Sequence, residues 1–338
     1  INVGAVLASL VAGTLGEKYG WHLGFGSAGV GMVLGLIVYQ IFRPRYLKGI
    51  GLPPGMIHDQ PKDHHTHEVT EEESHRPLNR QDWDKIAVII ILSICAIAFW
   101  FAFEQAGTSL NIFALYDTNR SIPMIDPPVV DAAGVPIIEN WYDRFNPFPA
   151  TWYQSVNPAA IVLFAPLFAW IWFYLAKRNR EPSTPVKFAL GLFLLSFGYV
   201  IMVFGAQQVS EQGLAGPQYL LMLYVMMTWG ELCLSPVSLS MVTKLSPPKY
   251  TSLMMGLYFF TIFLSNLTAG YVATYSSLPK LTQYAMRTMV VGGQAAGTDI
   301  MMPNKAIFFL ILAIIPAIVG ILVMLFAKKL TKMMHGLH

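Results

Sequence analysis

Four stretches of this sequence run for 18 to 22 residues without a charged side chain: Ile86–Phe103, Ala159–Ala176, Phe188–Gln207 and Ala306–Ala327. A helix needs about 20 apolar residues to cross the hydrocarbon core of a bilayer, so each run reaches or approaches that length. None alternates strictly between apolar and polar, which argues against lipid-facing β-strands. Composition agrees: 54% of the 338 residues are hydrophobic and 12% are charged, about half the charged share of a soluble domain. The chain reads as an all-α membrane protein.

Eight spans are predicted, near 1–16, 21–42, 86–113, 153–176, 187–207, 217–241, 251–275 and 305–327. The first is short, and the chain opens at Ile1 already inside an apolar stretch with no signal peptide ahead of it. The sequence is therefore expected to be a piece of a longer protein. Loop charge orients the spans, because cytoplasmic loops carry the excess of Lys and Arg. With 43–85 placed inside, 177–187, 243–250 and the tail from Lys328 fall on the same side. That side then holds 16 of the 22 Lys and Arg, and the other holds Lys18, Arg120, Arg144, Lys280, Arg287 and Lys305. Both chain ends, the C-terminus included, are expected in the cytoplasm.

The segment 43–85 is polar and separates two spans from six, as an inter-bundle loop would. It contains Asp63-His64-His65-Thr66-His67-Glu68, residues able to bind zinc, but a solvated loop is the reading adopted and no metal is assigned. The external segment 117–150, rich in Pro and aromatics, is expected to pack as a cap. The external segment 276–304 yields no functional reading. Cys95 and Cys233 lie in apolar runs without metal-ligand spacing and read as satisfied apolar thiols. Glycines crowd the first two spans, with a GxxxG pair at Gly31 and Gly35 that suits close helix packing.

Charge inside the membrane is the best pointer to chemistry. Of the 19 acidic residues, only Glu104 and Glu231 fall within predicted spans, and no Lys or Arg lies well inside any. A charge at bilayer depth costs about 2.5–3.5 kcal/mol on insertion scales, so such residues pair, face a water-filled path or titrate. Three explanations stay open: upstream spans supply the cation, the substrate supplies it as an amine, or the carboxylates carry protons. Their neighbours are suited to a polar ligand. Pro236 frees a backbone carbonyl near Glu231 and Ser235, Trp100 lies one turn before Glu104 on the same helix face, and Gln154 and Asn157 offer amides.

At these residues the sequence resembles the proton-dependent oligopeptide transporter (POT/PTR2) family of the major facilitator superfamily. Ile1-Asn2-Val3-Gly4-Ala5 is similar to the end of the family's helix-five signature, and Gly20–Gly26 to its turn into helix six. Phe103–Asn111 resembles the helix-seven motif, Gln154–Pro158 the QSINP of helix eight and Gly230–Pro236 the GELxLSP of helix ten. Met255–Phe259 is similar to the MGLWF of helix eleven, with Tyr258 where Trp is usual. The resemblance implies twelve helices in two bundles, of which this chain would carry helices five to twelve. Residues 1–42 would end the N-terminal bundle, 43–85 would be the central loop and 86–338 the C-terminal bundle.

The resemblance also implies roles. Glu231, Asn157 and Asn2 would hold a peptide's amino terminus, with Gln154 and Ser235 beside them. Trp100 and Tyr258 would line side-chain pockets. Glu104 would join an interbundle salt bridge that gates the outer side and couples the proton. The family's ExxER motif and helix-four lysine would lie upstream. The implied protein is a proton-coupled symporter of di- and tripeptides in a bacterial inner membrane. It would be monomeric, use the proton gradient without a cofactor, and bind no nucleic acid. The main rival is a carrier of the same fold for nitrate, a drug or a metabolite. A membrane enzyme would need a nucleophile–base set or metal cluster at depth, and none is legible; a non-transporting sensor is the remaining alternative.

Overall fold

The computed structural model describes residues 1–47, 77–122, 145–289 and 305–336, with backbone alone over 275–289. The histidine-rich stretch, the middle of the 117–150 segment and much of 276–304 lie outside the described residues. Among those described, the chain is helical: α1 (Asn2–Tyr19), α2 (Trp21–Tyr46), α3 (Arg80–Phe103), α4 (Ser109–Asp117), α5 (Val156–Lys177), α6 (Thr184–Gln212), α7 (Gln218–Leu245), α8 (Thr251–Met289) and α9 (Lys305–Met333). Seven of its helical segments are long and apolar enough to cross a membrane. The eighth predicted span corresponds to α1, whose end carries Glu17 and Lys18.

The core lies among α3, α6, α7 and α9, where Ile89, Leu92, Phe99, Leu192, Leu195 and Leu220 are fully buried. These helices are apolar on several faces, as expected where protein covers one side and lipid the other. α6 and α7 cross at Gly191 and Gly230. A Cβ on Gly191 would fall 2.8 Å from the Gly230 carbonyl oxygen, and one on Gly230 would fall 2.7 Å from that of Gly191. Only a hydrogen fits at either position, and the crossing fixes the register of α7 one residue before Glu231. At the far end of α5, Lys177 and Arg178 lie 4.4 and 4.3 Å from the ring centroids of Phe173 and Tyr174. Cationic side chains folded over aromatics mark a membrane interface.

Three expectations are corrected. The span predicted over 86–113 is not one helix: α3 stops at Phe103, a 3₁₀ turn covers Glu104–Gly107, and α4 restarts at Ser109. The polar side chains of Gln105, Thr108 and Ser109 bond one another there, and Gly107 stiffens nothing. Among the described residues the GxxxG pair meets no partner helix, since Gly31 and Gly35 have no neighbour for a Cβ within 4 Å. α2 meets α1 through Gly24 instead, and Gly24 is its buried residue. The span predicted to end at 275 continues as helix to Met289.

Ion pairs sort the helix ends into two faces. On one, Lys305 at the start of α9 bonds Asp117 at the end of α4 (2.6 Å). On the other, His335 after α9 meets Asp84 in α3 at 3.0 Å, next to the Asn79–Asp82 capping box that opens α3.

Candidate functional site

The site forms where α5 begins beside the middle of α7. Residues Ala150–Ser155 make a 3₁₀ turn that leads into α5, so Asn157 lies in the first turn of that helix. The Asn157 amide donates to both Glu231 Oε2 (2.9 Å) and Thr228 Oγ1 (3.0 Å). Thr228 and Glu231 are three residues apart and share one face of α7. Thr228 in turn donates to the Tyr224 carbonyl at 2.7 Å. The amide thus spends both its hydrogens on α7 and presents Glu231 in a fixed pose. Among the described residues, Glu231 has no basic partner.

Glu104 opens the 3₁₀ turn after α3. Its carboxylate lies near the Asn266 side chain of α8 and within electrostatic range of Glu231. Two acidic groups therefore share one region of the membrane-spanning bundle. The break beside Glu104 leaves carbonyls that a continuous helix would have used. The buried Tyr199 hydroxyl donates to the Ala102 carbonyl at 2.6 Å, and the Tyr224 hydroxyl to that of Ala106 at 3.5 Å. Buried Gln105 ties the turn to its surroundings: its amide donates to the Ala269 carbonyl at 3.3 Å, and Ser109 Oγ donates to Gln105 Oε1 at 2.6 Å. Irregular backbone at membrane depth persists only with such partners.

The other predicted residues fall as follows. Trp100 packs edge-on against Phe99 and Phe103, and its indole N–H has no partner among the described residues. Gln154 and Ser235 are half-buried, on the turn before α5 and one turn past Glu231. Tyr258 is buried in the contact between α7 and α8, where its hydroxyl donates to Ser238 Oγ at 3.0 Å. That position is two turns along α7 from Glu231. Asn2 is half-buried on α1. α1 runs antiparallel to the start of α5, with Glu17 at residues 150–151 and the Val6 carbonyl accepting from Ser155 Oγ at 3.5 Å. One further turn brings Asn2 opposite the beginning of α5.

Glu104 makes no ion pair among the described residues. The ion pair that joins α1 to the rest is Glu17–Arg120, at 3.7 Å. Burial pulls the Arg120 guanidinium below its ordinary value, and Glu17 acts against that shift. Thr228, Gln105 and Glu17 are not singled out by the sequence reading. Thr228 stands three residues from Glu231, a spacing that marks helix neighbours, while Gln105 directly follows Glu104, a spacing that carries no such signal. Glu17 lies just beyond the predicted end of the first span and so escapes a search for charge at depth.

Spanning helices around two acidic groups, one clamped by an amide and neither joined to a cation among the described residues, define a polytopic membrane protein with carboxylates at membrane depth. The chain belongs to the POT family: the PTR2 model of that family matches residues 1–54 and 139–289. It is 31% identical over 335 residues to the uncharacterized transporter YclF of Bacillus subtilis (strain 168), covering 87% of this chain and 63% of that protein. It is 30% identical over 330 residues to the peptide transporter YePEPT of Yersinia enterocolitica subsp. palearctica serotype O:3 (strain YE-P4), covering 83% of this chain and 60% of the relative. The chain thus spans less than two thirds of the length of either relative. The fold superposes on a crystal structure of peptide transporter POT in complex with sulfate, with a TM-score of 0.71 and 26% identity, over 99% of this chain and 67% of that one.

Proposed function

We propose that this chain forms part of a proton-coupled symporter that imports di- and tripeptides by alternating access. The observation that carries the reading is the Asn157–Glu231 bond (2.9 Å), which aims a carboxylate without a basic partner among the described residues. A peptide's ammonium would complete it, at a depth where a charge pair interacts far more strongly than in water. Half-buried Gln154 and Ser235 flank this anchor and would meet the peptide backbone, leaving side-chain identity loosely read. Trp100 would face a side chain, and Asn2 would approach the ammonium from α1. Tyr258, buried against Ser238, would shape the wall behind the pocket rather than touch cargo. A proton taken up at Glu104 would relieve its repulsion with Glu231, and so link proton entry to peptide binding. The peptide transporters among the relatives support the substrate class.

Orientation follows from charge. The face with Glu17, Arg120 and Lys305 is the outer one, and the tail beyond α9 lies in the cytoplasm with most of the Lys and Arg. The bacterial relatives support an inner-membrane setting.

The test is Glu231→Gln in the full protein. Uptake of labelled dialanine should fall by about 30-fold or more, the size of effect expected when a desolvated charge pair loses one member. Unchanged uptake would remove the assignment. Competition by free but not N-acetylated dipeptides should accompany it; equal competition would favour a carrier of some other solute.

A further inference from the structure

We infer that Glu17 is the latch that holds the outer face of this transporter closed. The inference rests on the proposed transport cycle for the need to open that face and for the division of the chain at 43–85, which puts α1 in one bundle and α5 in the other. The Glu17 carboxylate accepts from two successive backbone amides, with Oε2 to Ala150 N at 2.9 Å and Oε1 to Thr151 N at 2.8 Å. These amides open the 3₁₀ turn that leads into α5 and have no partner of their own within it. Arg120 completes the clamp from a third segment: it pairs with Glu17 and donates to the Phe148 carbonyl. Lys18 donates to the Pro147 carbonyl at 2.6 Å. One step deeper, the Trp152 indole donates to Thr14 Oγ1 at 2.8 Å. At Gly13 the backbones are so close that a Cβ would fall 2.7 Å from Thr151 Cβ.

The distribution of these contacts separates a latch from ordinary packing. Every charged contact between α1 and the 147–155 segment comes from Glu17 and Lys18, in the last turn of α1. Toward Asn2 the recorded hydrogen bonding thins to the single 3.5 Å contact at Val6. A joint strong at one end and weak at the other is what rocking about a central site needs. The contacts are also reversible. Water can replace a carboxylate on two amides, and the ion pair stays within reach of solvent, with Glu17 and Arg120 side chains 14% and 12% exposed. The clamped turn runs without interruption into Asn157, so the latch sits on the same element that poses Glu231.

The test reads conformation with no peptide present. In the full protein in nanodiscs, with Cys95 and Cys233 replaced by Ser, spin labels at Tyr19→Cys and Ser121→Cys report the separation of the two sides. Glu17→Gln keeps the volume and removes the charge and one acceptor. It should raise the ratio of long to short distances by about tenfold, as loss of charge-assisted bonds implies. Gly13→Val wedges the joint by size alone and should shift the ratio the same way. Adding Thr151→Gly to Gly13→Val should restore the short distance, which general destabilisation would not do. Glu181→Gln, at a charge pair on the opposite face, should leave the distribution unchanged. The latch is overturned if Glu17→Gln does not lengthen the distance, or if Glu181→Gln lengthens it equally. A lengthened distance for Glu17→Gln, together with a parent protein that takes up no dipeptide in a separate uptake assay, would discard the substrate reading and keep the latch.

Discussion

At the scale of single residues, the site depends on an amide. Asn157 gives one hydrogen to Glu231 and the other to Thr228, so neither acceptor has to be met by water in an apolar setting. Replacement by Asp would set a second carboxylate against Glu231, while Ala would leave the glutamate to swing. Asn157→Ala should lower peptide uptake by about tenfold, roughly the worth of one hydrogen bond to a charged group. The loss should appear as weaker binding of peptide rather than as reduced expression, which concentration-dependent uptake and a blot together would separate. Uptake equal to that of the parent would mean that Glu231 needs no positioning. The sequence made this pair legible because charge is so rare at depth that one carboxylate and one amide stand out. It did not make Thr228 legible, since a threonine on an apolar helix looks like any back-bonded hydroxyl.

At the scale of the element, the break after α3 shows what periodicity cannot reveal. The run from Ile86 to Phe113 is apolar throughout apart from a few polar residues, and nothing in its pattern forbids a single helix. The break becomes tenable through partners from elsewhere: Tyr199 on α6, Tyr224 on α7 and the α8 backbone at Ala269. Such long-range satisfaction is invisible before the helices are packed, and it explains why boundaries read from sequence fail here while span positions hold. Gln105 is the hub of this arrangement. Gln105→Leu would preserve approximate volume and remove the Oε1 that accepts from Ser109 and Thr108. Stability should drop by about 1–2 kcal/mol, within the range for buried hydrogen bonds and interhelical polar contacts. The thermal midpoint of the purified protein in detergent reads this, and an unchanged midpoint would show the turn to be held by packing alone. The crossing of α6 and α7 teaches the converse: Gly191 and Gly230 stand in apolar runs where any small residue reads the same, and their need for glycine comes from the 2.7–2.8 Å approach of the partner backbone.

At the scale of the whole molecule, topology was the most legible property, because two independent physical constraints act on it. Hydropathy sets where the chain crosses, and loop charge sets which way. The folded chain adds a third constraint that owes nothing to either. Lys305 with Asp117, and Glu17 with Arg120, gather the ends of α1 and α4 and the start of α9 on one face, while Asp84 with His335 gathers two on the other. α5 leads away from the first of these, entered through the turn after Phe148, which Arg120 bonds, and it runs for 22 residues from Val156 to Lys177. That length spans about 33 Å, enough to cross the hydrocarbon core. Ser121 and Lys177 must therefore lie on opposite sides of the membrane. In intact cells a membrane-impermeant maleimide should label Ser121→Cys at once and reach Lys177→Cys only after permeabilisation. The reverse pattern would invert the orientation, move the Glu17 latch to the cytoplasmic face, and turn the proposed importer's closed outer door into a closed inner one. Labelling of both residues from outside would be worse, because no crossing of α5 could then connect them. The fold therefore makes the relative placement firm, and leaves to loop charge alone the choice of which face meets the cytoplasm.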